Sequence, residues 1–338
     1  MDLMKSSIKN SLTRINKLFK DVKERISIEE NGTLVIFSDT FWDLYSLKNF
    51  IASIAIMLIL PLFTIITNIS GVNFDTIPIT QAAMIINVRI IYFLYFWTLG
   101  IAYISIIGAS GASLISEEVH SGSILILISR PIKRIEIFLG KYLGLFVYST
   151  ILSFTSIFIT GWMNILRYSQ NIDHFLAILP FLGSTFLYSL LVNFLFVSIT
   201  LAFSSIFKKS RNAAILTIFI AVFSFLGLMF IKLFIGDLYA DFQIFHLDIG
   251  YHLANVYVYF IELLNAIPPA QVWQANFAAT TGVFKLSQDV DRDQNIYTGG
   301  LDKTNYYLPQ FSLLVWLGIA IGLMIFGIWK LKTRDFSL

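Results

Sequence analysis

The chain has 338 residues, of which 57% are hydrophobic and only 13% are charged, and its mean hydropathy is +0.75. A soluble globular protein carries about a quarter charged residues, so this composition excludes that class and indicates an integral membrane protein. The formal net charge of +3 is small, and cysteine is absent, which excludes a disulfide framework, a thiolate metal site and a cysteine nucleophile.

The first part of the chain carries an amphipathic pattern. Apolar residues recur every three or four positions over residues 3–27, which predicts a helix with one apolar face. Seven Lys and Arg residues occupy other positions of this stretch. We therefore expect the helix to lie on an anionic membrane surface or to dock on another protein.

Two small elements are predicted before the first apolar run. Asn31-Gly32 lies between β-prone residues and predicts a small hairpin over 26–37. Ser38 or Asp39 is then expected to cap a short helix over 39–47, whose aromatic residues favour the membrane interface.

Six apolar runs are long enough to cross about 30 Å of hydrocarbon at roughly 20 residues each. They lie at about 49–69, 88–115, 142–164, 178–206, 213–235 and 310–330. The fold class is therefore an all-α polytopic membrane protein with six transmembrane helices.

The distribution of basic residues predicts the orientation. Of the 24 Lys and Arg residues, 18 lie in the two terminal segments and in the loops after the second and fourth runs, and five lie on the opposite side. The positive-inside rule then places both termini in the cytoplasm. Lys232 falls within the fifth run and is expected to extend outward to the interface. We therefore divide the chain into a cytoplasmic piece at 1–36, comprising the basic helix and the hairpin, and a six-span transmembrane domain at 37–338.

The outer segment between the last two runs, about residues 236–309, is longer than a simple link. Residues 253–267 are apolar but too short to span, and they predict a re-entrant or surface-lying helix with Tyr251, Tyr257, Tyr259 and Trp273 near the head groups. Residues 287–305 are rich in Asp, Asn and Gly and predict an exposed loop or a small lobe.

The stretch from Ser116 to Leu143 is dense in charge and lies between two membrane runs. An ionised side chain in hydrocarbon costs roughly 2.5–3.5 kcal/mol, so this stretch must lie outside the bilayer. Pro131 is favoured in the first turn of a helix. We predict a helix, a break at Ser129 to Pro131 and a second helix. The alternative is a solvated loop with weak surface ion pairs.

Several motifs bear on the function of the chain. Gly108-Ala109-Ser110-Gly111 matches the GxSG of intramembrane serine proteases, but all four histidines fall outside the predicted spans, so we interpret the small residues as sites of close helix packing. No GxxxxGK[ST] phosphate loop occurs, so this chain is not expected to hydrolyse nucleotide by itself. A membrane-embedded enzyme whose outer face binds a metal or a lipid head group is an alternative, and a mechanical transmitter to an outer protein is another. The residues of that outer site would be Asp237, Asp241, His246, Asp248 and His252.

The charged stretch also carries a family resemblance. Glu118, Gly122-Ser123, Ser129-Arg130-Pro131-Ile132 and Leu139-Gly140-Lys141-Tyr142 resemble the cytoplasmic signature of the permease subunit of type-two ABC exporters. The helix over 39–47 resembles the elbow helix of that family, and the Asn-Pro segment around Asn265 and Pro268 is similar to one before its last span. The N-terminal piece and the long outer segment depart from the family pattern.

The resemblance implies an ATP-driven exporter in which this chain is not itself an enzyme. Its implied partners are ABC ATPase subunits and a second permease, as a homodimer or as a heterodimer with a homologous chain, together with membrane lipid and an outer-face protein partner. No nucleic-acid partner is expected. ATP and Mg²⁺ would bind to the ATPase, and no cofactor is expected on this chain. The implied location is the plasma membrane, as a multi-pass protein.

The same resemblance implies two sets of functional residues. The coupling helix would contact the ATPase through Glu117, Glu118, Gly122, Ser123, Arg130, Pro131, Lys133, Arg134 and Lys141. The carboxylates would meet basic residues of the ATPase, and the basic side chains would meet acidic residues or lipid phosphates. Polar candidates along the pathway are Thr64, Thr67, Tyr95, Thr98, Asn193, Thr217 and Ser224, for which helix packing is the alternative role.

Overall fold

The computed structural model describes part of the chain. The described residues are 32–66, 74, 76–124, 132–169, 171–235, 238–266, 281–286, 290–291, 296–297 and 301–334. The predicted basic helix over 3–27 and the predicted break at 129–131 lie outside these residues, as do Thr67, Arg130, Pro131, Asp237 and Trp273.

Within the described part of the chain, six helices are long and apolar enough to cross a membrane, which confirms the predicted number. They are α2 (Leu47–Ile66), α3 (Ile79–Ser121), α4 (Arg134–Tyr168), α5 (Ile172–Ile206), α6 (Ser210–Lys232, helical to Ile235) and α9 (Pro309–Thr333). Two of them contain a π-helical section, Leu94–Ala102 in α3 and Phe223–Gly227 in α6.

Helix α5 lies at the centre of the bundle. It packs against α3, α4, α9 and a short helix over Ile249–Leu263, whereas only a minority of the residues of α2, α6 and α9 are buried. The helix ends at Ser121, Arg134, Ile206 and Thr333 lie at one side, here called the basic side, because Glu118 pairs with Lys141, Arg134 donates to the Lys332 carbonyl and Arg334 donates to the Ser205 carbonyl. The other side is called the far side.

Helix α1 (Gly32–Leu44) precedes the first span and corrects two predictions. Residues 32–36 were predicted to continue a hairpin, but they are helical, because packing on α4 overrides the strand preference of β-branched residues. Ser38 and Asp39 were predicted as caps, but they lie inside α1, and Ser38 is buried. A side-chain bond of the capping type occurs at the next helix, α2, where Oγ of Ser46 accepts the Asn49 N–H at 3.2 Å.

The outer segment contains several short elements. α7 (Leu238–Asp241) and a 3₁₀ turn (Ile244–His246) lead to α8 (Ile249–Leu263). As predicted, α8 is too short to count as a span and is buried against protein. However, Tyr251 and Tyr257 are fully buried in the protein, so the expectation that they lie near head groups was wrong.

The described residues in and just before the predicted polar loop or lobe at 287–305 form four short strands. β1 (Phe284–Leu286) pairs antiparallel with β4 (Leu301–Lys303), with Phe284 opposite Lys303. β2 (Val290–Asp291) pairs with β3 (Ile296–Tyr297), also antiparallel. The segment between these pairs and α8 is partly outside the described residues.

Candidate functional site

A pocket of about 370 Å³ opens at the basic side, between α1, the end of α3 and the start of α4. Four carboxylates and one lysine line it, together with smaller polar and apolar side chains. We call it the acidic pocket, and its lining residues are Ile36, Asp39, Thr40, Asp43, Ser113, Leu114, Glu117, Glu118 and Lys141.

Lys141 forms the buried base of the acidic pocket. Its Nζ lies 2.6 Å from Oε1 of Glu118 and donates to the Leu114 carbonyl at 2.6 Å. The Lys141 side chain is only 5% exposed, whereas that of Glu118 is 29% exposed. This ion pair therefore joins α4 to α3 inside the protein, which differs from the prediction that Lys141 meets a partner.

Glycines on α4 allow α1 to form the other wall. A Cβ atom on Gly140 would lie 2.7 Å from Cβ of Ile36, and one on Gly144 would lie 2.8 Å from Cβ of Thr40. Only glycine permits this approach, so the two glycines bring the carboxylates of α1 over the end of α3.

The end of α3 presents Glu117 at the pocket rim. The side chain of Glu117 is exposed, and Ser210 donates to it at 3.4 Å. Gly122 follows in the left-handed conformation, with φ of 77°, and this ends the helix. Ser123 shares a hydrogen bond of 2.9 Å with Ser121. Glu117 and Glu118 thus belong to the second span's own helix and not to a separate one.

The start of α4 is fixed by its own side chains. Lys133 is the N-cap residue and exposes its side chain, while its backbone N–H donates to Oε2 of Glu136 at 3.2 Å. Helix α4 begins at Arg134. Pro131, which the sequence predicts in its first turn, lies outside the described residues. Arg134 donates to the carbonyls of Leu331, Lys332 and Arg334, and so binds the last turn of α9.

The described pathway candidates lie inside the bundle, and most of their polar groups bond to neighbouring helices. Asn193 accepts from Ser149 at 2.6 Å and donates to the Phe146 carbonyl and to Thr150, both at 2.8 Å. The hydroxyls of the other candidates are distributed as follows: Thr64 contacts the Pro61 carbonyl and Asn164, Thr98 donates to the Met57 carbonyl, Tyr95 donates to the Gly250 carbonyl, and Thr217 donates to the Ala213 carbonyl. The buried Ser224 hydroxyl has no hydrogen-bond partner among the described residues. These contacts favour the helix-packing alternative for all but Ser224.

The GxSG motif also serves helix packing. A Cβ on Gly108 would lie 3.1 Å from Thr217, and one on Gly111 would lie 2.5 Å from Leu145 and 2.8 Å from Thr200. The small residues therefore let α3 approach α6, α4 and α5 closely.

A second charged cluster lies at the far side and was not predicted. Lys232 lies 2.5 Å from Oδ2 of Asp248, with side-chain exposures of 7% and 0%, so the expectation that Lys232 extends outward was wrong. Lys232 also donates to the Thr281 carbonyl at 2.9 Å, and Tyr239 donates to Asp248 at 2.8 Å. Oδ1 of Asp248 accepts the Tyr251 N–H and caps α8. Burial beside Asp248 raises the pKa of Tyr239, which keeps this phenol protonated as a donor.

This cluster also bears on the alternative of an outer metal site. His252 bonds to Ser312 at 2.9 Å, and His246 bonds to Tyr307 and Gln243. Within the part of the chain that the structure describes, no three His, Asp or Glu side chains are grouped so that they could hold a metal ion.

Sequence reasoning missed two residues of the acidic pocket, Asp39 and Asp43. They are four residues apart on α1, a spacing that puts both on one face of a helix. The predicted helix over 39–47 already contains both residues, but the pocket that they line forms only where α1 meets α3 and α4, and no local pattern shows that approach.

The sequence model of a protein family described as ABC-2 family transporter protein matches residues 101–336. The matched range begins inside α3 and covers every later span, and it leaves out α1 and α2. No curated protein sequence matches the chain significantly.

Proposed function

Because the chain belongs to the ABC-2 family of transporter proteins, we propose that it is the permease subunit of an ATP-driven exporter, coupled to a separate ATPase. It is a membrane component of a transporter with six membrane-capable helices. The sequence contains no phosphate loop, so the energy for transport would come from another protein.

The acidic pocket is the observation that carries this proposal. It lies at the basic side, at the end of α3, where the charged stretch from Ser116 to Leu143 begins. Asp43 and Glu117 are exposed carboxylates at its rim, available to basic side chains of an ATPase. The Glu118–Lys141 pair connects the pocket to both α3 and α4. A displacement of the pocket by the ATPase would therefore be transmitted to both spans.

The orientation belongs to the same proposal. The excess of Lys and Arg at the basic side supports a cytoplasmic location for both termini and for the pocket. The ATPase would then bind from the cytoplasm of a cell whose plasma membrane holds the chain.

A second permease completes the proposed assembly. The first, fifth and sixth spans expose large apolar residues along most of their length, including Ile59, Phe63, Ile215, Phe219, Leu314 and Ile325. Such surface must face lipid or another chain. We propose a dimer, with itself or with a homologous permease.

A mechanical transmitter is the second candidate function, and one contact favours it. The Tyr95 hydroxyl of α3 donates to the Gly250 carbonyl at 2.8 Å, and this carbonyl lies at the start of α8. A shift of α3 would therefore move the outer segment, which could act on an outer protein. Transport of a solute and transmission to a partner would use the same coupling at the basic side.

The experiment is co-expression with the ABC ATPase encoded nearest to this chain. The double variant D43K/E117K should no longer associate with the ATPase and should no longer change the rate at which the ATPase hydrolyses ATP, because the charge of both carboxylates at the pocket rim is reversed. The variant Asp173→Lys reverses an exposed carboxylate at the far side and should behave as the parent chain. Robust ATP hydrolysis by the purified chain alone would overturn the proposal, and so would unchanged association and hydrolysis in the double variant.

A further inference from the structure

Among the described residues between Phe234 and Leu247, large apolar side chains are exposed and a polar side chain is buried, which is the reverse of a loop that faces water. Four large apolar side chains point outward, with Phe234 86% and Leu247 84% exposed, and Leu238 and Phe242 between them are also exposed. Meanwhile Tyr239, in the same segment, is buried. We give the name inverted segment to the described residues 234–235 and 238–247.

The polar groups of this region bond inward. Tyr239 donates to Asp248, and Asp248 in turn pairs with Lys232 and accepts the Tyr251 N–H. These bonds anchor the inverted segment from within. Because these bonds hold one face of the segment against the protein, the opposite face is turned outward. The exposure of the four apolar side chains therefore follows from the orientation of the backbone and not from the rotamers of the surface side chains.

The exposed face continues the surface of two spans. On α6, Phe230 is exposed one helical turn before Phe234. On the other flank, Phe245 stacks on Tyr306 at 4.3 Å and Tyr307 stacks on Phe311 at 5.6 Å, which brings the segment against the start of α9. There Leu308, Phe311 and Leu314 are exposed as well.

We propose that the inverted segment lies in the far-side leaflet of the bilayer, with Phe234, Leu238, Phe242 and Leu247 among the lipid chains. Apolar surface of this size is unfavourable in water, and its continuity with the exposed faces of α6 and α9 indicates lipid as the occupant. The segment begins in the last helical turn of α6, which ends at Ile235, so we place it at the depth of the interface. Asp241 and Gln243, which are exposed polar neighbours, would lie at the head groups.

This placement assigns the segment a role in the fold of the far side. The outer face of the segment would contact lipid, while Tyr239 on its inner face bonds to Asp248, the N-cap of α8 and the partner of Lys232. The segment would therefore connect α8 to the bilayer surface as well as to the bundle. The inference does not depend on coupling to an ATPase.

The experiment uses the natural absence of cysteine, because one introduced cysteine then carries one spin label. Phe242→Cys and Leu247→Cys are labelled in the full chain, reconstituted in phosphatidylcholine bilayers, and measured for collision with oxygen and with a water-soluble nickel chelate. Ile215→Cys on the exposed face of α6 is the lipid reference, and Asn305→Cys is the exposed polar reference at the far side.

We expect the oxygen-to-nickel ratio at both sites to approach that of Ile215→Cys and to exceed that of Asn305→Cys several-fold. A ratio like that of Asn305→Cys would place the segment in water and overturn the proposal. Low collision rates with both reagents would overturn it too, because they would show that a second copy or another protein covers the face. As a second measurement, Phe242→Trp should add fluorescence that lipids with brominated chains quench, whereas unquenched added fluorescence contradicts lipid contact.

Discussion

The ammonium group of Lys232 lies 2.5 Å from Oδ2 of Asp248, across the junction between the end of α6 and the start of α8. Asp248 satisfies three partners at once, namely this ammonium, the Tyr239 hydroxyl and the Tyr251 N–H. Both charged side chains are almost completely buried, so the pair depends on these bonds in place of water.

Removal of Asp248 should therefore destabilise the protein strongly. Breaking a buried pair leaves an uncompensated charge, so Asp248→Ala should lower the free energy of unfolding by about 3–5 kcal/mol. The matched control is Glu262→Gln in the exposed pair with Lys303, which should cost about 0–1 kcal/mol. Denaturant titration in detergent micelles measures both, and equal losses for the two variants would contradict the prediction.

The two neighbouring glutamates at the end of α3 should separate structure from coupling. Glu118→Gln weakens the partner of the buried Lys141 and should cost about 3 kcal/mol, even without an ATPase present. Glu117→Gln changes an exposed side chain and should stay within about 0.5 kcal/mol of the parent chain. Unfolding measurements on the purified chain decide this, and an unaffected Glu118→Gln would show that the pair contributes no stability.

Protonation of His252 should make stability depend on pH. Burial lowers the pKa of His252, although Asp248 and the carbonyls of His246 and Phe245 act in the opposite direction and the His246 side chain adds to the lowering. The unfolded chain, with a histidine pKa of about 6.5, then binds more protons than the folded one at mildly acidic pH. The contribution of the neutral His252 to the free energy of unfolding is fully present above a pH of about 6.5 and is lost as the pH falls below that value.

The variant His252→Gln tests this sign. Its melting temperature should change less than that of the parent chain between pH of about 7.5 and 5, because the titrating group is gone. The parent chain should lose melting temperature on acidification over that interval. A parallel shift in both proteins would assign the pH dependence to other groups.

The spans were predictable because each is a long apolar run, but their ends were not. α3 begins nine residues before its predicted start, at Ile79, and it contains Arg89, whose guanidinium donates to the Thr64 carbonyl at 2.8 Å and to the Tyr168 hydroxyl at 3.0 Å. α4 likewise begins at Arg134 instead of residue 142, since Lys141 and Arg134 both find partners in the protein. Charged residues mark the ends of the predicted spans, but a charged residue does not end a helix where the fold supplies a counterion or carbonyls.

The charged pairs could not be predicted because they join segments that approach only in the fold. Glu118 and Lys141 are 23 residues apart, and Lys232 and Asp248 are 16 residues apart, so no local period connects them. The acidic pocket needed the helical state of residues 32–36 as well. That state depends on glycines more than a hundred residues away, at Gly140 and Gly144, and local β propensity points the other way.

Membrane topology follows from the basic residues and can be tested on the cysteine-free chain. Cysteine at Ser121 or Lys209 should be shielded from an impermeant thiol reagent in intact cells and should react after lysis, because both exposed positions lie at the basic side. Cysteine at Thr76 or Asn305, exposed at the far side, should react in intact cells. Reaction of the Ser121 variant from outside would invert the proposed orientation.

The packing of α1 on α4 should fail when a side chain is added at the glycines. At Gly140 an added Cβ would lie 2.7 Å from Cβ of Ile36 and 2.8 Å from the Thr33 carbonyl, and backbone cannot move aside as the tip of a side chain can. Gly140→Ala should therefore cost about 1–3 kcal/mol of unfolding free energy and displace the carboxylates of α1 from the acidic pocket.

The control for this variant is Gly318→Ala on α9, where an added Cβ meets no atom within 4 Å among the described residues. Alanine is the better helix former by about 0.8–1.0 kcal/mol, so Gly318→Ala should leave stability unchanged or raise it. Denaturant titration gives both values, and a cysteine at Asp39 reports pocket geometry through its reaction rate with a thiol reagent. If Gly140→Ala is as stable as the control and the rate at Asp39 is unaltered, α1 does not pack on α4 through these glycines.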